Sequence, residues 1–285
     1  MNKRVIIIVA DNNYIEQAKS LAVNCVIEGG WKEDFAVICP TNTEAAAEFR
    51  AWGFHVLETP LKGFLQKFEV FNPFFEQWES GLYLDCDVIV QDDLERLFAL
   101  LGVEDKIWMD TEDGKIIDMF WRDENKAANQ HIYDWMSNIY PHVNTHQTFN
   151  SAFMLFNPSS IPEDTVKALV DVQTVIHEAN NPEKMGTDQQ PINLVLWHET
   201  KKIPNKLVCF WGLAEPVNDV DSEWRQYKKG DIPVAIHLSR WYAPWIKKTP
   251  DADAYRNLKL ERECYEIYQT NLSKFKEVFS NGRNV

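Results

Sequence analysis

Apolar positions along the first hundred residues switch between two periods. Val5 to Ala10 is an unbroken apolar run rich in β-branched residues, the pattern of a strand covered on both faces. From Tyr14 to Glu28 the apolar residues fall at Ile15, Ala18, Leu21, Ala22, Cys25 and Val26, a helical spacing that Gly29-Gly30 ends. Phe35–Cys39, the Ala-rich stretch 43–52 and Phe54–Leu57 repeat the order strand, helix, strand. Gly63 to Trp78 then reads as another helix, before the strand Leu82-Tyr83-Leu84. Strands alternating with helices predict an α/β fold with a mostly parallel sheet.

Downstream the pattern is less regular. It predicts strands at Ile107–Asp110, Ile116–Trp121, Phe149–Phe156, Leu207–Phe210 and Val234–His237, with helices at 126–138, Pro162–His177 and Asp188–Trp197. From Asp253 to Phe279, apolar residues at Tyr255, Leu258, Cys264, Tyr265, Tyr268, Leu272, Phe275 and Phe279 mark a C-terminal amphipathic helix or helix pair. No repeat, low-complexity tract or Gly/Ser linker divides the chain. The expected organisation is one domain: a body over residues 1–250 and a helical extension over 251–285.

Composition acts mainly by exclusion. The chain has 285 residues, 45% hydrophobic and 25% charged, an ordinary globular balance with enough length for a sizeable core. Its 43 acids against 29 Lys and Arg give a net charge of −14, which repels phosphate on average and argues against nucleic acid or an anionic membrane as partner. Five scattered Cys without a CxxC read as reduced intracellular thiols. Lys3-Arg4 precedes an apolar run that stops at Asp11, too short for a signal peptide. No apolar stretch reaches the roughly 18 residues of a membrane span. A cytoplasmic protein with no integral membrane segment is the expectation.

The candidate chemistry narrows quickly. GxGxxG, GxxxxGK[ST] and GxSxG are all absent, which removes most of the case for dinucleotide dehydrogenases, P-loop enzymes and α/β-hydrolases. Three Asp-x-Asp pairs occur: Asp85/Asp87, Asp219/Asp221 and Asp251/Asp253. The last two sit in polar, loop-like stretches. The first lies between apolar runs, in GLYLDCDVIV, where ionised carboxylates need a partner or a metal. Strand alternation would point Asp85 and Asp87 the same way beyond a strand end, and hard oxygen ligands suit Mn²⁺ or Mg²⁺. The competing reading is a pair of helix caps, a role also open to Asp92 and Asp93. His142 and His146 are four apart, but Pro141 and Asn144 argue against a helical zinc pair.

The segment GLYLDCDVIVQDDLERLF resembles the metal-binding segment of the glycosyltransferase family 8 group, the glycogenin-like nucleotide-sugar transferases. LKGFLQKFEVF, FNSAFMLFNPSSI, GTDQQPINLVLW and VAIHLSRWYAPW resemble further family segments and follow in the family's order, so the likeness spans residues 5 to about 250. It implies a GT-A fold, a UDP-sugar donor, a hydroxyl acceptor (a glycan or a protein) and hexose transfer with retention of configuration. It implies Asp85, Asp87 and His237 as ligands of Mn²⁺ (or Mg²⁺), and Ala10, Asp11, Tyr14 and Cys86 at the nucleotide. Asp11 suits a uracil N–H, and Tyr14 can stack on the base. Lys67 would approach the diphosphate or donor sugar, Asn150 and Ser151 the sugar, and Asp188 and Gln189 the anomeric centre.

Each residue also has a plainer role open to it. Asp11 and Asp188 could be helix caps, Lys67 a solvated helix lysine and His237 a structural strand-end histidine. The chain also departs from the family. Ala243 stands where the family has a lysine and Arg240 where it has a glycine, so Arg240, Lys247 or Lys248 is expected to neutralise the leaving diphosphate instead. Trp241, Tyr242 and Trp245 are candidates for stacking on sugar faces. Two rival readings are a sugar nucleotidyltransferase, whose Gly-rich basic loop is missing from VADNNYIEQ, and a non-catalytic nucleotide-sugar-binding protein, which Ala243 keeps open.

Overall fold

The structure is a computed structural model and describes residues 3–102, 106–112, 130–144, 148–179, 188–204, 207–211, 233–238 and 258–280. Its strands are β1 (Arg4–Val9), β2 (Asp34–Pro40), β3 (His55–Thr59), β4 (Ser80–Leu84), β5 (Val88–Val90), β6 (Ile107–Glu112), β7 (Thr148–Phe156), β8 (Thr200–Lys202), β9 (Val208–Trp211) and β10 (Ala235–Leu238). The helices that matter below are α1 (Ile15–Ile27), α2 (Glu44–Ala51), α3 (Glu95–Phe98), α4 (Gln130–Ile139), α5 (Thr165–Ala179), α6 (Gln189–Leu196) and α7 (Leu258–Ser280).

Seven strands form the main sheet in the order β3-β2-β1-β4-β7-β6-β8. β3, β2, β1 and β4 are parallel, and β8 is parallel to β6; β7 runs antiparallel to both its neighbours. This is the mixed, mostly parallel sheet expected from the pattern. Period-two alternation explains why the strands are apolar throughout. Ile6, Ile8, Leu82 and Leu84 enter one core, with α1, α2 and α7, while Val5, Ile7 and Tyr83 enter a second core on the other face. Both faces are therefore covered.

A second sheet of three strands, in the order β5-β10-β9, stands beside the first. The sequence pattern did not separate it, because Leu82–Val90 reads as apolar on both sides of the two acids. α7 packs along α1, where Ser20 Oγ donates to the Tyr268 carbonyl at 3.2 Å. Phe275 meets Trp52 edge-on at 5.1 Å and stacks on Phe279 at 4.8 Å. The C-terminal helix is thus held by the same core as α1.

Three expectations change in detail. Gly63–Trp78 is not one helix but two 3₁₀ segments, Gly63–Phe71 and Pro73–Gln77. Pro73 biases Asn72 toward extended backbone (φ −71°, ψ 139°), and the Asn72 side chain accepts from Phe74 N–H at 2.9 Å to start the second segment. Pro162 stays outside α5, which begins at Thr165. β8 went unforeseen because Thr-Lys-Lys carries no apolar pattern. The expected strand Ile116–Trp121, residues 126–129 and 253–257, and the Asp219/Asp221 and Asp251/Asp253 pairs lie outside the described residues.

Candidate active site

β1 and β4 are neighbours in the sheet, yet the chain leaves β1 for β2 on the other side. Their carboxyl ends therefore flank the crevice where α/β sheets bind ligands. Residues 85–88 make the turn out of β4. Asp85 N–H donates to the Ala152 carbonyl at 3.0 Å, and Val88 N–H donates back to the Asp85 carbonyl at 3.0 Å. The two acids converge through this turn rather than through strand alternation, which corrects the expected geometry. They do not cap a helix. The N-cap of α3 is Leu94, and Asp93 just before it accepts from Glu95 N–H through Oδ1 at 3.0 Å.

Lys67 is 8% exposed, so it is not a solvated helix lysine. Its Nζ lies 2.9 Å from each Asp85 oxygen, 2.9 Å from Asp188 Oδ2 and 3.3 Å from Ser151 Oγ. Ser151 Oγ also donates to Asp188 Oδ2, and Tyr83 OH donates to Asp85 Oδ1. Burial alone would lower the Lys67 ammonium, but Asp188 and Asp85 hold it above its ordinary value. For Tyr83, burial first and then Asp85 push the phenol well up, so it stays a donor.

Asp188 occupies the cap position of α6 but makes no side-chain cap bond; its carboxylate faces Lys67 instead. Two further devices fix this arrangement. β7 is bulged against β6, so that Met109 pairs with Met154 but Asp110 with Asn150, and Asn150 Oδ1 accepts from Ala152 N–H at 2.8 Å within the bulge. Asn193, on α6, accepts from Phe149 N–H and donates to Phe149 C=O, both at 2.7 Å. It thereby clamps the strand end carrying Ser151 to the helix led by Asp188.

The small sheet brings in His237. It is level with Val88 in the β10–β5 ladder, and its Nε2 lies 3.2 Å from Asp87 Oδ1. Asn24 steadies β5 from α1, accepting from Val90 N–H at 2.7 Å and donating to Val90 C=O at 3.0 Å. Burial would lower the His237 imidazole, but Asp87 and then Asp85 outweigh it and raise its pKa. One ligand atom from each of Asp85, Asp87 and His237 lies within 4.8 Å of the other two. Two carboxylates and an imidazole at that spacing are a fitting donor set for a divalent cation.

On the other wall, a cleft of about 510 Å³ is lined by residues that include Asp11, Tyr14, Phe64, Lys67, Asp85 and Asp87. Asp11 does not cap α1. Its Oδ1 accepts from Asn13 N–H at 2.8 Å, while Asn12 Oδ1 accepts from Ala45 N–H of α2 at 3.0 Å. Tyr14 is 43% exposed at the cleft. Cys86 Sγ reaches the Val9 carbonyl at 3.5 Å, and burial followed by the flanking acids pushes its thiol well up. Phe64, Gln66 and Tyr83 also line the cleft and were not anticipated. The aromatic Tyr83 in an otherwise aliphatic strand was the one signal available.

Not every expected residue faces this space. Ala10 is buried, with its N–H on the Ile38 carbonyl at 3.0 Å. Asn150 is buried in the β7 bulge, and Gln189 is half-buried in the first turn of α6, its carbonyl accepting from Asn193 Nδ2 at 2.8 Å. None of these three is among the residues lining the cleft. His142 stacks on Trp197 at 5.2 Å. Arg240, Trp241, Tyr242, Ala243, Trp245, Lys247, Lys248 and His146 lie outside the described residues.

Comparison with known proteins bears on the fold and the family. The chain is 25% identical over 195 residues to a lipopolysaccharide 1,2-glucosyltransferase of Escherichia coli, a match covering 66% of this chain and 51% of that one. The chain thus spans about half the length of this relative. Among solved structures, the galactosyltransferase LgtC in complex with donor and acceptor sugar analogs superposes with a TM-score of 0.58 at 16% identity, covering 93% of this chain and 95% of LgtC. The glycosyltransferase GlyE of Streptococcus pneumoniae TIGR4 gives 0.56 at 15% identity, covering 98% and 64%. These likenesses establish the GT-A fold. The sequence profile of glycosyl transferase family 8 matches residues 64–249, and this chain is a member of that family.

Proposed function

We propose that this chain is a metal-dependent, retaining hexosyltransferase that moves a glucose or galactose unit from a UDP-sugar to a hydroxyl acceptor. The observation that carries the reading is the meeting of Lys67, Asp85, Asp188 and Ser151 beside the Asp85, Asp87 and His237 group. Membership of family 8 and the names of the relatives, a glucosyltransferase and a galactosyltransferase, support the hexose. The same reading takes residues 1–250 as the catalytic unit, residues 251–285 as its helical extension, and the protein as cytoplasmic on the strength of five scattered cysteines without a CxxC. No described helix is long and apolar enough to cross a membrane.

Breaking the anomeric C–O bond places new negative charge on the β-phosphate of the leaving UDP. A divalent cation held by Asp85, Asp87 and His237, Mn²⁺ or Mg²⁺, supplies Lewis-acid stabilisation of that charge. Tyr14 and Asp11 hold the uracil, by stacking and by accepting its N–H. Lys67 contributes a positive charge beside the donor, and Asp188 with Ser151 grips donor hydroxyls. Among the described residues lining the cleft there is no glutamate nucleophile, and in this reading the acceptor attacks on the face from which UDP departs, beside Asp188 and Gln189. Arg240 is assigned to the diphosphate in place of the lysine that Ala243 lacks.

The test is incubation with a panel of UDP-sugars and MnCl₂, scored for slow hydrolysis. A hexosyltransferase releases UDP from UDP-glucose or UDP-galactose. A binding protein shows a thermal shift without turnover, and a nucleotidyltransferase releases pyrophosphate only with a nucleoside triphosphate; either result would displace the proposal.

A further inference from the structure

Both oxygens of Asp85 are already in contact with groups of the protein. Lys67 Nζ stands 2.9 Å from both of its oxygens, and Tyr83 OH donates to one of them. The same ammonium lies 2.9 Å from Asp188 and over the Tyr83 ring at 5.4 Å. The ammonium therefore sits largely buried at the cleft wall, with its charge shared between two carboxylates. A bidentate ammonium on Asp85 and a metal ion on the same carboxylate make competing demands on two oxygens.

We propose that Lys67 is a resident counter-cation that competes with the divalent metal for Asp85. When the metal takes Asp85, the ammonium is left to Asp188 and Ser151, on the donor side of the site. Lys67 thereby couples metal loading to preparation of the sugar pocket, and it keeps metal affinity low until a diphosphate arrives to share the charge. This is a positioning role, distinct from contact with the donor, and it rests on the metal reading above.

Competition makes a counterintuitive demand: removing a buried charge contact must improve metal binding. Two unit charges a few ångströms apart interact by several kcal/mol at an effective dielectric near 20, so the gain is expected to be on the order of tenfold or more. A residue that only touches the donor would leave nucleotide-free metal affinity unchanged.

The experiment is titration of the full chain with MnCl₂ alone, following free Mn²⁺ by electron paramagnetic resonance, for wild type, Lys67→Met, Lys67→Gln and Lys67→Arg. The Met and Gln forms are expected to bind Mn²⁺ about tenfold or more tighter than wild type, and the charge-keeping Arg form within about threefold of it. The Met and Gln forms should also melt lower in EDTA and regain most of the loss with Mn²⁺, as the metal replaces the missing ammonium. Equal or weaker Mn²⁺ binding in whichever of the two forms folds would overturn the competition, as would an Arg form that tightens like Met. If no form bound Mn²⁺ even with UDP present, the metal reading itself would fall and the competition with it. The UDP-bearing titration thus separates the two failures.

Discussion

His237 is joined to Asp87 by side chain and backbone together: Nε2 lies 3.2 Å from Asp87 Oδ1, and the following N–H, of Leu238, donates to the Asp87 carbonyl at 2.9 Å. The histidine therefore cannot move relative to the turn without breaking the β10–β5 ladder. A donor set built from one turn and one strand of another sheet is held rigid for this reason. His237→Ala should weaken Mn²⁺ binding by at least the tenfold to hundredfold, roughly, that even supporting-residue changes cost. Calorimetric titration with MnCl₂ and UDP checks this, and unchanged affinity would remove His237 from the donor set.

Asn193 holds α6 to β7 by satisfying both backbone groups of Phe149. Asn193→Ala should cost about 2–4 kcal/mol, since it strips partners from buried backbone groups. Urea denaturation measures the loss, and a change below about 1 kcal/mol would mean that the clamp is redundant.

The site was legible in unequal parts. Asp85 and Asp87 announced themselves because ionised acids are out of place between Leu84 and Val88. Lys67 and Asp188 carried no such mark: a lysine in LKGFLQKFEVF and an aspartate before a helix have commoner roles, and only tertiary packing turns them toward each other. The parallel half of the sheet followed from hydrophobic period. The β7 bulge and the split of Gly63–Gln77 did not, because a strand's register shift and a 3₁₀ geometry leave no periodic trace. Asn24 and Asn193 escaped notice for a related reason, as each satisfies the backbone of a distant strand.

Gly29 closes α1 against α3's approach. A Cβ there would lie 2.6 Å from the Cys25 carbonyl oxygen and 2.7 Å from Leu94 Cδ1. Gly29→Ala should destabilise the protein by about 1–3 kcal/mol, as overpacking does, with a lowered melting temperature as the readout. A melting temperature equal to wild type would show that the loop yields freely.

His142 supplies a pH dependence. Burial, with His198 beside it, lowers its pKa below the ordinary histidine value. A depressed folded-state pKa means that the stabilisation is present above the unfolded value, about 6.5, and is lost as pH falls through the folded one. Denaturation midpoints between pH 7.5 and 5 should therefore decline, and His142→Gln should flatten that decline. An equally steep decline in the variant would assign it to other groups.

The central claim is that two acids let an acidic protein hold a diphosphate by way of a cation. Its most direct test is calorimetric titration of UDP into wild type and Asp87→Ala, each with MnCl₂ and with EDTA. UDP should bind measurably only to wild type with Mn²⁺, while Asp87→Ala keeps a cooperative melt. UDP binding of equal strength in EDTA, or in Asp87→Ala, would contradict the account.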